Sequence, residues 1–153
     1  TINAIEVVSR LRKMEVSNYD ISSTLATSIS QRLIRKLCPH CKREREFTEE
    51  EKKIIKSIGQ KYGVEFDLTN AKTYDAVGCD KCNQSGYFDR VAIFETLLIT
   101  DPIKELIVNN ASTLEIREEA YKEGYKPMII EGLKKVINGT TTLEELNSKL
   151  LFY

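Results

Sequence analysis

Four cysteines in two pairs of identical spacing constrain this 153-residue chain more than any other feature. They read C-P-H-C at Cys38 and Cys41, and C-D-K-C at Cys79 and Cys82. Two residues between thiolates let one turn of backbone aim both sulfurs at one point. Two such knuckles complete a tetrahedral site with sulfur about 2.3 Å from a metal. Pro39 lies in the first knuckle, and Gly78 and Gly86 flank the second. Lys36, Lys42, Arg43 and Lys81 stand near enough in sequence to favour thiolate over thiol. The 37 residues between the pairs exceed the roughly 15–20 of a compact zinc ribbon. Doubling a loop costs only about 0.6 kcal/mol of closure entropy, against an apparent stabilisation of roughly 10–16 kcal/mol from structural zinc in small peptides. The reading is therefore one zinc ion on Cys38, Cys41, Cys79 and Cys82. The alternatives are two disulfides, four free thiols, or His40, the only histidine, replacing a cysteine. A closed four-sulfur shell leaves no position for water, so its expected work is structural: it staples the end of one strand to the start of another.

The rest of the composition fits a globular chain of one domain, or one domain with a small appendage. Hydrophobic residues make up 41% and charged residues 30%, which is enough apolar material for a core. No run approaches the roughly 20 apolar residues of a membrane span, and the start lacks a signal peptide's apolar block. A soluble, cytoplasmic protein without direct membrane insertion is expected, and such a compartment disfavours disulfides. Net charge is zero but uneven. Residues 1–45 carry nine Lys/Arg against four Asp/Glu, 46–90 seven against nine, and 91–153 seven against ten. Either a basic surface meets an acidic one, or these are ordinary solvated faces. The balance is far from that of a dedicated nucleic-acid binder.

Spacing predicts a mostly helical α+β chain. Asn3 and Glu6 form a capping pair ahead of Ala4, Val8, Leu11 and Met14. Ser17 and Asp20 open a second helix with Ile21, Leu25 and Ile29 on one face. Arg32–Leu37 reads as a short strand leading to Cys38, or as continued helix. Thr48 and Glu51 make a capping box for a helix carrying Ile54, Ile55 and Ile58, stopped by Gly59 or Gly63. Val64, Phe66 and Leu68 alternate as in a short strand, and 69–78 is turn-like. Tyr87–Ile99 is the strongest strand, bulky enough to be buried on both faces. Four helices follow. Asp101-Pro102 opens the first, Ser112 with Glu115 the second, Pro127 the third and Thr141 with Glu144 the fourth.

Three runs carry a family resemblance: SSTLATSISQRLIRKLCPHCKRE, GCDKCNQSGYFDRVAIFETLLITDPIKELI and EGLKKVINGTTTLEEL. They resemble the C-terminal part of the type II secretion and type IV pilus assembly ATPases, and the resemblance covers nearly the whole chain, weakest over 44–77. It implies a parent that is a homohexameric RecA-like motor, cytoplasmic and peripheral to the inner membrane, working on an inner-membrane platform protein with ATP and Mg. On that reading 1–37 end the ATPase core, 38–90 form the zinc-binding insertion, and 91–153 supply the last strand and a C-terminal helical subdomain. Thr1-Ile2-Asn3-Ala4 resembles the tail of that family's histidine box. Arg32 and Arg35 are either contacts to nucleotide or a neighbouring subunit in the full ring, or solvated strand residues. Two departures matter. No GxxxxGK[ST] phosphate cradle occurs in these residues, so this chain alone is not expected to bind ATP tightly or hydrolyse it, and it reads as a piece of the motor. The family's G-R-x-G is here Asp89-Arg90-Val91-Ala92, which puts a tight turn there in question. Outside the rest of the ATPase sheet, apolar residues such as Ile5, Val8, Leu33 and Ile34 would be exposed and drive self-association.

Two other function classes compete. An independent zinc-ribbon module would bind nucleic acid or protein, but no basic-aromatic surface adjoins Asp80 and Lys81. A redox enzyme would use one CxxC near a βαβ pattern, which two matched pairs do not suit.

Overall fold

Side-chain caps begin most helices of the computed structural model, which describes residues 3–153. Thr1 and Ile2, half of the segment compared above with a histidine box, lie outside the described residues. Within them the order is α1 (Val7–Lys13), α2 (Asn18–Thr24), β1 (Thr27–Leu37), β2 (Arg43–Glu46), α3 (Glu49–Lys61), β3 (Lys72–Asp75), a 3-10 turn (Asp80–Cys82), β4 (Tyr87–Leu98), α4 (Asp101–Val108), α5 (Thr113–Lys122), α6 (Met128–Ile137) and α7 (Leu143–Leu150). The chain is thus helix-rich α+β with little sheet: β1 pairs with β4, and β2 with β3. Among the described residues no helix is long and apolar enough to cross a membrane. The residues form two compact units, Thr1–Gln31 with Phe94–Pro127 and Arg32–Ile93 with Met128–Tyr153. These units cut across the three segments drawn from the sequence, since 91–153 contributes to both.

In the first unit Ser17 accepts the Asp20 N–H at 3.0 Å, as a helix N-cap should. Asn3 Oδ1 accepts the N–H groups of Ile5 and Glu6, but it closes a turn and α1 starts only at Val7. Ile5 and Val8 are buried here with Ile21, Leu97, Ile103 and Ile107, so their expected exposure is corrected. Met14 is exposed, and Ile29 does not continue the α2 stripe: the helix ends at Thr24 and Ile29 stands exposed on β1. β4 is buried on one face only. Glu95 and Leu97 point inward while Phe94 and Leu98 stay exposed, because a two-stranded ribbon offers one covered face. The Glu95 carboxylate accepts the Ala4 N–H at 2.6 Å. Burial, and then this carboxylate, hold the Tyr125 hydroxyl well above its ordinary value.

In the second unit the Thr48–Glu51 capping box opens α3 as read. Gly59 does not stop this helix; a Cβ there would strike the Val64 carbonyl, so the glycine lets the following segment fold back. That segment is not a strand. Phe66 and Val64 pack as loop residues on the core of Ile34, Ile55, Ile93 and Leu133, with Leu68 buried in it. The second ladder comes instead from β2 and β3, the latter inside the stretch expected to be turn. They run antiparallel with Arg43 opposite Asp75 and Glu46 opposite Lys72. Ile34 is fully buried, whereas Leu33 is exposed as expected. The last helix begins one residue later than its sequence signal: Thr142, not Thr141, accepts the Glu145 N–H at 3.0 Å.

Candidate metal centre

The end of β1 delivers Cys38, and the turn before β4 delivers Cys79 and Cys82. The Cys38 N–H donates to the Gly86 carbonyl at 2.9 Å, which ties the first knuckle to the second. Within each knuckle the backbone turns tightly: Lys42 N–H reaches the Cys38 carbonyl at 3.0 Å, and Gln84 N–H the Cys79 carbonyl at 2.9 Å. Asn83 and Gln84 both take left-handed backbone angles, with φ of 54° and 63°, and Gly86 follows at 80°. Asparagine and glycine suit that region, so the second knuckle's composition matches its path.

The sulfurs of Cys38, Cys41, Cys79 and Cys82 all lie within 4.8 Å of one another. Cys38–Cys79, Cys41–Cys82 and Cys79–Cys82 are each 3.8 Å apart. A tetrahedron with metal–sulfur bonds of about 2.3 Å has edges of about 3.8 Å, so the four sulfurs are positioned to hold one metal ion. A disulfide bond is about 2.05 Å, and all four cysteines are free. His40 is exposed and takes no part in the cluster.

Burial and backbone donors act in opposite senses on two of these sulfurs. Burial acts against a thiolate at Cys82, but the N–H groups of Cys79 and Gly86, at 3.3 and 3.2 Å, outweigh it and bring the thiol down to about 6. Burial pushes Cys41 up to about 11 even though Gly78 N–H donates to its sulfur at 3.3 Å.

The two arginines singled out from the sequence lie on β1, ahead of Cys38. Arg32 is half-buried on β1. Arg35 is engaged: Nε and Nη2 donate to Glu145 Oε2 at 2.9 and 2.7 Å, and its backbone N–H donates to Oε1 at 3.0 Å. Its guanidinium also lies 4.2 Å from the Tyr87 ring centroid. The Glu145 side chain is 1% exposed. Burial pushes its carboxyl up, and the donors of Arg35 pull it further down, to below the ordinary range. Sequence reading passed over Glu145 because its partner is 110 residues away. The Thr142–Glu145 spacing was the available signal, although the carboxylate turns to Arg35 instead of closing a capping box.

Comparison with known proteins follows the same lines. The model of the family described as type II/IV secretion system protein matches residues 1–148. The type IV pilus assembly ATPase PilB of Myxococcus xanthus is 39% identical over 147 residues, 95% of this chain and 25% of that protein. PilB of Thermus thermophilus is 35% identical over 99% of the chain and 16% of its own length. The type II secretion system ATPase E of Vibrio cholerae is 38% identical over 95% of the chain and 27% of its own length. The chain spans about a quarter or less of these relatives.

Proposed function

Because the chain belongs to the type II/IV secretion system protein family, we propose that it is the zinc-stabilised C-terminal region of a motor ATPase that powers type IV pilus assembly or type II secretion. Cys38, Cys41, Cys79 and Cys82 hold the zinc ion. Four thiolate ligands close its shell, so its chemistry is to bind and orient backbone, with no water activated at the metal. The observation that carries this reading is the sulfur cluster, three of whose edges have the tetrahedral length, in a chain matched over 1–148.

In the parent, residues 1–37 complete a RecA-like core, 38–90 form the metal-binding insertion, and 91–153 carry the last strand and helical subdomain. ATP and Mg act in that parent, on phosphate-binding motifs that these residues do not contain, so the chain alone turns over no ATP. Its partners are the rest of its own ATPase core, neighbouring subunits of a homohexamer and an inner-membrane platform protein, which hold it at the cytoplasmic side of the membrane. The engagement of Arg35 with Glu145 favours Arg32 as the arginine offered to nucleotide or a neighbouring subunit.

Elemental analysis of the purified chain, paired with an ATP turnover assay, tests both halves. One zinc per chain with no turnover is expected. A metal-free chain that keeps its melting temperature overturns the zinc assignment, and substantial metal-independent turnover overturns the division of labour.

A further inference from the structure

The segment joining α6 to α7 is gripped from both knuckles. Leu37, directly before Cys38, donates its N–H to the Thr140 carbonyl at 2.8 Å. Lys42, directly after Cys41, donates from Nζ to the Gly139 carbonyl at 3.3 Å and lies 4.3 Å from the Tyr74 ring centroid. That ring fills the space beside Gly139, where an added Cβ would come within 2.6 Å of Tyr74 Cε2. On the far side of the second knuckle, the Tyr87 and Thr142 hydroxyls share a hydrogen bond of 2.7 Å. Gly86, its neighbour, accepts the Cys38 N–H and donates to Cys82 Sγ. Arg35 sits between these anchors. Its carbonyl accepts the Thr141 hydroxyl at 2.8 Å, its cation faces the Tyr87 ring, and its remaining donors meet Glu145 in the first turn of α7.

These anchors share one dependence. Those on the Cys38 side and those on the Cys82 side keep their spacing only while the two knuckles stay together. The β1–β4 pairing, the Cys38 N–H to Gly86 carbonyl bond and the Gly78 N–H to Cys41 Sγ bond at 3.3 Å already join the knuckles; an ion adds the bonds that fix all four sulfurs, and so the spacing of the two sets of anchors. If the knuckles part, the receptor for the turn divides, and the buried Glu145 carboxylate loses the geometry of its ion pair with Arg35. Leu143 and Leu146 are fixed separately, in the apolar core, so the dependence is local to the turn and the first turn of α7.

We propose that the metal centre is a conformational lock on the α6–α7 turn: metal loading holds residues 138–146 in place, and metal release frees them while the rest of α7 stays packed. The lock rests on the zinc reading above. By linkage it is reciprocal, so loosening the turn weakens metal binding by the same factor.

Hydrogen exchange on the full chain, zinc-loaded and then stripped by a chelator, tests it. Exchange in 138–146 should accelerate about tenfold or more on stripping, while α5 at 113–122 is unchanged. Glu145→Gln should weaken zinc about fivefold in competition with a chromophoric chelator. Tyr87→Phe, which removes one hydroxyl and keeps the ring, should move affinity in the same direction by less. Lys134→Ala, on the exposed side of α6, should leave it alone. Acceleration confined to 38–42 and 76–87, equal acceleration throughout the chain, or unchanged zinc affinity in both Glu145→Gln and Tyr87→Phe would each overturn the lock. A chain that carries no zinc at the outset would instead overturn the zinc reading, a different and separable failure.

Discussion

Asp89 holds a backbone angle that few side chains accept. Its φ is +70°, and its own Oδ1 accepts the Arg90 N–H at 2.8 Å. Aspartate visits the left-handed region at modest cost because its short polar side chain bonds locally, whereas a β-branched residue there clashes with its own carbonyl. Asp89 lies within β4, so this angle is a local kink in the strand and not the tight turn put in question by the sequence. Asp89→Val should therefore destabilise the chain by about 1–2 kcal/mol, and Asp89→Gly should stay within about 0.5 kcal/mol, the lost hydrogen bond offsetting the relieved strain. Chemical denaturation of the two variants beside the parent checks the ordering. Equal losses for both would mean that the carboxylate, and not the backbone angle, matters at this residue.

At the scale of elements, β2 and β3 show what a single sequence conceals. RERE and KTYD have no apolar alternation, and their ladder is held by charge: Lys72 meets Glu46 at 2.7 Å, and Arg45 meets Asp75 at 2.8 Å and Glu51 of α3 at 2.7 Å. Arg45 holds the carboxyls of both Glu51 and Asp75 below their ordinary range, against the opposing pull of burial. A depressed folded value adds stability above the ordinary carboxylate pKa and loses it as pH falls through the depressed one. Arg45→Ala should then cost about 1 kcal/mol at pH 7, discounted for partial exposure. Its gap from the parent should close as the pH falls below about 4. A gap that persists at low pH would assign the effect to packing of the arginine stem.

The α6–α7 pair rests on a different contact. Gly132 leaves no room for a Cβ against Leu146, which is fully buried. Gly132→Ala should destabilise by about 1–3 kcal/mol despite alanine's better helix propensity, because overpacking outweighs it. The caps at Ser17, Thr48 and Ser112 and the strand β4 were legible because their signals lie within a few residues of each other. Gly59 and Gly132 were not, since a close approach from Val64 or Leu146 leaves no mark beyond the glycine itself. The Arg35–Glu145 pair was hidden for the same reason, at much longer range. The four cysteines were legible because coordination chemistry fixes their spacing wherever they occur in a fold.

At the scale of the whole molecule, all four sulfurs fall in the unit built from Arg32–Ile93 and Met128–Tyr153, and none in the other. The first unit has an apolar core of its own, with Ile103, Ile107 and Ile116 among its buried residues. Metal binding free energy is folding free energy only for the residues whose geometry the ion fixes. Chelation should therefore act unequally. A calorimetric scan of the stripped chain should show the second unit melting well below its loaded temperature, while the first keeps a separate transition close to its own. Exchange protection retained in 103–107 and lost in 32–38 at an intermediate temperature would identify which transition is which. A single transition that falls as a whole would mean that β1 and β4, which supply residues to both units, make the chain one cooperative body. A melt indifferent to the chelator would leave the sulfur cluster without a stabilising role.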